Sequence, residues 1–196
     1  MASRELASAI DNPVVALDGR VTSNGNFHGA PVAYVLDFLA VVVADLASIS
    51  ERRTDRFLDT ARNRGLNAFL ADDPGVDSGH MIAQYTAAGI VSELKRCAMP
   101  ASADSIPSSA MQEDHVSMGW AAGRKLRRAV DGLQRVLAIE ILTAARASDM
   151  RDGACAPGTQ AAVDLLRTRV EGPGTDRFLA PEITHAVELV QSGEFV

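Results

Sequence analysis

A long segment without internal glycine or proline is the feature that most constrains how this chain can fold. It runs from about Pro31 to Leu58, and the residues between Val32 and Ile49 are apolar almost all the way round a helical projection. A helix of that kind is buried on every side. At 1.5 Å per residue it would be roughly 40 Å long, and a chain of 196 residues cannot easily cover it completely. We therefore expect its exposed flank to contact other subunits, which predicts an obligate oligomer.

Charged residues inside this segment argue against a membrane span. Asp37 and Asp45 lie within it, and each carboxylate would cost about 2.5 to 3.5 kcal/mol near the centre of a bilayer. The N-terminus, Met1 to Leu6, has no apolar stretch behind a basic start and does not resemble a secretory signal. We expect no membrane partner and a cytoplasmic location.

Breaker and turn signals divide the rest of the chain into further elements. Proline disfavours a helical residue ahead of it, so residues 4–10 are predicted to be the last turns of a helix that stops before Asn12-Pro13. Asp18-Gly19 suits a hairpin turn between residues 14–17 and 20–22. Later helices are predicted from a cap at Asp77 or Ser78 to Ala98, from a capping box at Ser109-x-x-Gln112 to Ala147, and over residues 159–170 and 181–191.

These elements predict an all-α fold, a long-helix bundle with a small N-terminal β-hairpin. The chain is predicted to divide into three segments. Residues 1–26 form a helix end, the hairpin and a loop, residues 27–147 form the central bundle, and residues 148–196 form a linker and short helices.

Composition argues against other function classes. The net charge of −6 and the pI of about 5.2 provide no attraction to nucleic acid or anionic lipid. One basic stretch comprises Arg124, Lys125, Arg127, Arg128 and Arg135. It has no interleaved aromatic residues on which bases could stack, which argues against a nucleic-acid site.

The spacing of the cysteines and histidines does not indicate a disulfide or a metal site. Cys97 and Cys155 form no Cys-x-x-Cys pair, which predicts reduced thiols. No metal site is expected, because no i,i+4 pair occurs among His28, His80, His115 and His185.

Two segments could carry chemistry. Gln112-Glu113-Asp114-His115 places two carboxylates at the predicted start of the third long helix. They would either complement the helix dipole or place one carboxylate in a cleft, where it handles a proton or a basic ligand. The loop at residues 24–29 would be either a turn with Asn24 or Asn26 as a helix cap or part of a site. Spacing leaves both questions open.

Four segments taken together carry a family resemblance. They are residues 24–33 (Asn-Gly-Asn-Phe-His-Gly-Ala-Pro-Val-Ala), 50–53 (Ser-Glu-Arg-Arg), 76–79 with 81–84 (Val-Asp-Ser-Gly and Met-Ile-Ala-Gln) and 104–118 (Asp-Ser-Ile-Pro-Ser-Ser-Ala-Met-Gln-Glu-Asp-His-Val-Ser-Met). In this order they resemble the C-terminal part of the histidine ammonia-lyases, within the aromatic amino acid lyases, and Met111 resembles the actinobacterial branch. The similarity covers nearly the whole chain.

This resemblance implies non-oxidative elimination of ammonia from L-histidine to give urocanate. The family's electrophile is a methylidene-imidazolone group formed from an Ala-Ser-Gly tripeptide, and the active site is assembled from three subunits of a homotetramer. The 196 residues contain no Ala-Ser-Gly. The upstream catalytic tyrosine loop and the carboxylate-binding arginine motif of the family are also missing, since Tyr34 and Tyr85 lie in predicted helices.

Two residues match site positions of the family. Phe27 matches the phenylalanine that lines the pocket near the prosthetic group, and Glu113 matches the glutamate that faces the substrate imidazole. His80 and Asn67-Ala68 depart from the family pattern, which usually has an apolar residue and a Pro-Pro-like pair there. A buried histidine needs a hydrogen-bond partner, or stability falls by about 1 to 3 kcal/mol.

The resemblance implies a C-terminal fragment of the enzyme that is inactive alone, with no cofactor of its own. Its partners would be copies of itself or a separate N-terminal half. The alternative is a non-catalytic helical assembly module that complements a separate N-terminal chain. A neighbouring reading frame that encodes the Ala-Ser-Gly half would favour the enzyme.

Overall fold

The structure is a computed structural model that describes residues 1–195. Over this range the chain is mostly helical with one small antiparallel sheet, which confirms the predicted fold class. The elements are α1 (Ala2–Leu6), β1 (Val14–Val15), β2 (Val21–Thr22), α2 (Ala30–Leu58), a 3-10 turn (Ala68–Leu70), α3 (Met81–Cys97), α4 (Gly119–Asp149), α5 (Pro157–Arg167) and α6 (Ala180–Ser192).

The chain divides into two compact units. Unit 1 comprises residues 1–43 and 95–130, and unit 2 comprises residues 44–94 and 131–196. The three segments predicted from the sequence are continuous stretches of the chain, whereas each unit combines two separate stretches. The units therefore do not test the three segments, which stay a prediction.

The predicted hairpin is present in unit 1. Val14 pairs with Thr22 and Val15 with Val21, and Gly19 supplies the left-handed turn residue with φ 81°. The helix predicted over residues 4–10 is present only in part, because α1 ends at Leu6 and not just before Asn12-Pro13. The Ser8 hydroxyl donates to the Arg4 carbonyl oxygen at 2.7 Å, which satisfies a carbonyl at the end of this helix.

The predicted starts of α3 and α4 are wrong, and the two helices differ in the reason. In unit 1, α4 begins at Gly119, because Ser109 and the two residues after it adopt left-handed φ angles of 53°, 53° and 70°. In unit 2, α3 begins at Met81. The Asp77 carboxylate there accepts from the backbone amides of Asp73 and Asp176 at 3.2 and 3.0 Å, so it does not cap a helix.

Two apolar clusters belong to the core of unit 2. One joins α4, α5 and α6 and is built around Leu142, Leu166 and Leu189. The other joins the end of α2 to the loop after it through Leu58, Leu66 and Leu70. The two C-terminal helices predicted from the sequence therefore pack on α4.

Helix α2 has the predicted length but leaves apolar side chains exposed. In unit 1 the exposed fractions of Tyr34 and Phe38 are 55% and 67%, and in unit 2 those of Leu46 and Ile49 are 49% and 46%. By length and composition, α2 is the one helix within residues 1–195 that could cross a membrane. A central helix of a helical assembly meets the same criteria.

Asp37 lies in the middle of this apolar helix and is compensated within unit 1. It is 4% exposed, its Oδ1 lies 2.9 Å from Lys125 Nζ, and its Oδ2 accepts from the Ser102 backbone amide at 2.7 Å. Burial alone would raise the pKa of this carboxyl, but the Ser102 and Lys125 contacts outweigh it and lower the pKa. The charge is therefore stable inside an apolar face.

The two departures from the family pattern are accommodated in unit 2. The Asn67 side-chain amide donates to the Ala71 carbonyl oxygen at 2.9 Å and braces the 3-10 turn. His80 is 4% exposed, and its Nδ1 lies 3.1 Å from Thr143 Oγ1. Because the Thr143 hydroxyl already donates to the Ile139 carbonyl oxygen at 2.8 Å, His80 Nδ1–H is the donor. Burial, reinforced by Arg146, Arg177 and Arg167, lowers the pKa of His80 to about 4.

This buried histidine predicts a specific loss of stability in acid. Between its unfolded pKa of 6.5 and its folded pKa of about 4, the unfolded chain binds more protons. The free energy of unfolding should therefore be highest above pH 6.5 and fall by about 3 kcal/mol towards pH 4. His80→Leu should remove this part of the pH dependence in urea unfolding curves. Replacement of the exposed His185 by Gln is the control, and equal slopes for wild type and His80→Leu would contradict the prediction.

Candidate functional site

Two loops of unit 1 meet through a pair of histidines. The first, residues 23–29, leads into α2, and the second, residues 104–118, leads into α4. His28 Nε2 lies 2.8 Å from the His115 carbonyl oxygen, and the two rings stack with centroids 5.1 Å apart and an interplanar angle of 20°. Because a carbonyl oxygen only accepts, His28 Nε2 carries the proton in this contact. The contact joins the segment that holds Phe27 to the segment that holds Glu113.

Asparagine side chains hold the first loop in place. Asn12 Oδ1 accepts from the Asn24 backbone amide at 3.1 Å. Asn24 Oδ1 accepts from the Asn26 backbone amide at 2.8 Å. The Asn26 side-chain amide donates to the Ala9 carbonyl oxygen at 3.0 Å. Asn24 and Asn26 are therefore occupied within unit 1, and the interpretation of either one as the cap of α2 is wrong.

The second loop is a tight reversal fixed by its own backbone. Ser108 and Glu113 exchange backbone hydrogen bonds of 2.9 and 3.2 Å across the left-handed residues 109–111. The Ser105 hydroxyl accepts from the Val116 backbone amide at 2.9 Å and holds the far end of the loop. Since α4 begins six residues after Glu113, the interpretation that Glu113 and Asp114 complement its dipole is wrong.

Both residues singled out by the family motifs present exposed side chains. Phe27 is 44% exposed. Glu113 and Asp114 are also exposed, and within residues 1–195 neither carboxylate has a hydrogen-bond or ion-pair partner. The backbone of Glu113 is fixed by hydrogen bonds, while its carboxylate oxygens have no partner within residues 1–195. Such a carboxylate can accept a hydrogen bond from a basic ring. An exposed phenyl ring can form an apolar wall.

No metal site accompanies these residues. In the part of the chain that the structure describes, no three His, Cys, Asp or Glu side chains are placed to hold an ion. Cys97 is buried and Cys155 half-buried, and both are free thiols.

Sequence reasoning missed the contacts that assemble the two loops. His28 and His115 are 87 positions apart, so no local spacing could pair them. The asparagines at 12, 24 and 26 were visible in the sequence, but their hydrogen bonds depend on the fold of the whole segment.

Comparison with known proteins identifies the family. The family model described as aromatic amino acid lyase matches residues 1–168. The chain belongs to this family. A histidine ammonia-lyase from Streptomyces avermitilis is 66% identical over 198 aligned residues, which cover 100% of this chain and 39% of the relative. One from Symbiobacterium thermophilum is 52% identical over 98% of this chain and 38% of its own length. The resemblance stated from the motifs is confirmed.

Solved structures of aromatic amino acid lyases share the fold. A histidine ammonia-lyase from Trypanosoma cruzi superposes with a TM-score of 0.90 at 42% identity, covering 94% of this chain and 37% of that one. A tyrosine aminomutase from Streptomyces globisporus gives 0.90 at 35% identity, covering 94% and 36%. This chain therefore spans about two fifths of the length of its relatives.

Proposed function

We propose that this chain is the C-terminal part of a histidine ammonia-lyase, which removes ammonia from L-histidine to give urocanate in the cytoplasm. The observation that carries the proposal is the 66% identity to a histidine ammonia-lyase across the whole chain. The two joined loops of unit 1 support it, because they present Phe27 and Glu113 on a fixed backbone.

Each of these residues has a proposed role in binding the substrate. The Glu113 carboxylate accepts a hydrogen bond from an imidazole N–H of the substrate. This hydrogen bond is stronger than a neutral one because the carboxylate is charged. Phe27 forms an apolar wall beside the substrate. These contacts orient the ring while the reaction takes place at the carbon atoms next to it.

The precursor of the family's prosthetic group is not among the residues of this chain. The methylidene-imidazolone forms from Ala-Ser-Gly, which does not occur in the 196 residues. We therefore assign this chain substrate-binding residues and no step that involves the prosthetic group. In this proposal, the group is supplied by a separate N-terminal segment.

The chain alone should form no urocanate from L-histidine, because the precursor of the prosthetic group is missing. The measurement is absorbance at the urocanate band with purified chain, compared with buffer. Adding the N-terminal part of a related histidine ammonia-lyase should restore turnover if the two parts assemble. Urocanate formation by the chain alone would contradict the proposal.

The isolated chain should also associate or expose apolar surface, because α2 keeps large apolar side chains exposed in both units. Sedimentation velocity at micromolar concentration, with an apolar dye in parallel, tests this expectation. A compact 20.7 kDa species without dye binding would contradict it. The homotetramer of the family is the assembly that we propose.

The same exposed flank favours the alternative of a non-catalytic assembly module. A module of that kind would bind an N-terminal partner without producing turnover. Co-expression with such a partner separates the alternatives, since only the enzyme predicts urocanate after assembly.

A further inference from the structure

An open cavity of about 430 Å³ in unit 2 is lined mainly by arginines. We call it the arginine pocket, and its basic residues are Arg53, Arg56, Arg62, Arg64 and Arg151. Phe57 and Ala144 add an apolar wall, and Glu140 is the acidic residue of the lining. The residues come from α2, the loop after it, α4 and the turn that follows α4.

Carboxylates compensate two of the five arginines. Arg53 forms a two-pronged ion pair with Glu140. Arg62 lies 2.6 Å from an Asp59 oxygen and 3.2 Å from an Asp55 oxygen. Within residues 1–195, Arg56, Arg64 and Arg151 form no ion pair. The pocket therefore keeps positive charge in a chain whose net charge is −6.

The loop that carries Arg62 and Arg64 is braced rather than free. Asn63 is 3% exposed, its Oδ1 accepts from the Leu66 backbone amide at 3.1 Å, and its Nδ2 donates to the Asn67 carbonyl oxygen at 3.3 Å. Arg151 Nη2 donates to the Asn63 carbonyl oxygen at 2.8 Å. Two arginines therefore extend from a fixed loop, and a third is tied to it.

Arg64 adopts a backbone conformation that favours glycine. Its φ is 60°, and it precedes Gly65 at φ 88°. A residue with a β-carbon is sterically disfavoured in this left-handed region, whereas glycine adopts it without strain. An arginine at this position strains the backbone. A binding role for its side chain would account for an arginine in place of glycine.

We propose that the arginine pocket binds a small molecule that carries a phosphate or diphosphate group. Guanidinium groups match the geometry of phosphate oxygens and donate in pairs. Three arginines without ion pairs offer more donors than the two oxygens of a single carboxylate can accept, whereas phosphate offers three terminal oxygens. The volume lies within the range of small-molecule sites, and the apolar wall suits the rest of such a ligand.

Isothermal titration of the full chain with inorganic pyrophosphate, in chloride buffers of several ionic strengths, tests this proposal. We expect saturable binding of one pyrophosphate per chain that weakens as salt is raised. Arg56→Gln should weaken binding about tenfold or more, because it removes charged donors. Arg64→Gly should weaken binding similarly while the melting temperature stays the same or rises, because the strained residue is relieved.

Arg127→Gln is the matched control, since it removes one exposed arginine of α4 that lies outside the pocket. It should leave pyrophosphate binding unchanged. The proposal is overturned if wild type shows no saturable binding, or if Arg127→Gln weakens binding as much as Arg56→Gln. It is also overturned if assembly with an N-terminal part abolishes pyrophosphate binding and the pocket variants fail to assemble, since the pocket would then be a protein interface.

Discussion

Replacing Arg146 by methionine should lower the free energy of unfolding by about 3 to 6 kcal/mol. Arg146 is 5% exposed, and its guanidinium donates to the Leu70 carbonyl oxygen at 2.6 Å through Nε and to the Gly174 carbonyl oxygen at 2.9 Å through Nη2. Methionine keeps an unbranched side chain but has no donor. Both carbonyls would lose a charged partner, and hydrogen bonds of that kind contribute about 1.5 to 3 kcal/mol each.

Urea unfolding followed by far-UV circular dichroism, at one fixed protein concentration, measures this change. Arg127→Met is the control, because Arg127 is an exposed arginine of the same helix. Its effect should stay within about 0.5 kcal/mol. Arg146→Lys should lie between the two, since one ammonium group does not reproduce the two-pronged contact. A loss below about 1 kcal/mol for Arg146→Met would show that water replaces the guanidinium at both carbonyls.

The loops that Arg146 holds also depend on a glycine. At Gly79 the φ is 56°, and an added β-carbon would lie 2.5 Å from the Phe69 carbonyl oxygen and 2.8 Å from the Ala71 amide nitrogen. The Asp176 carboxylate accepts from the backbone amides of Ser78 and Gly79 at 2.7 and 2.8 Å. Three loop segments of unit 2 are therefore joined to α4 by a small number of polar contacts.

The long elements of the fold could be predicted from the sequence because their signals are local. An apolar run without breakers predicted α2 to within one residue at its start, and Asp18-Gly19 predicted the hairpin. The capping box at Ser109 is equally local, but it was misleading. Left-handed residues and a backbone pairing between Ser108 and Glu113 define a loop there, and neither is visible in the residue types.

Less of the candidate site could be predicted, because its assembly depends on contacts between distant residues. The motifs supplied Phe27 and Glu113, but the histidine pair that joins their loops spans 87 positions. The arginine pocket has the same origin, since Arg56 and Arg151 come together only after α2 and α4 pack. Arg146 looked like any basic residue in a long helix, and only its burial shows its role.

In the enzyme reconstituted with an N-terminal part, Glu113→Gln should lower kcat/KM for L-histidine by about 10- to 150-fold. Glutamine keeps the shape of the side chain but removes the charge, and a charged hydrogen bond contributes about 1.5 to 3 kcal/mol. Because the fold uses the backbone of Glu113 and not its carboxylate, the free energy of unfolding should change by no more than about 0.5 kcal/mol. Steady-state kinetics and thermal unfolding of the same variant measure both quantities.

Asp114→Asn is the matched control, because Asp114 is the neighbouring exposed carboxylate on the same loop. If only Glu113→Gln lowers kcat/KM, the effect belongs to one carboxylate at one position, as a direct contact with the substrate ring requires. Equal losses in the two variants would point to the summed charge of the loop instead. Unchanged kinetics in Glu113→Gln would remove Glu113 from the site and leave Phe27 as the remaining candidate for substrate binding on this chain.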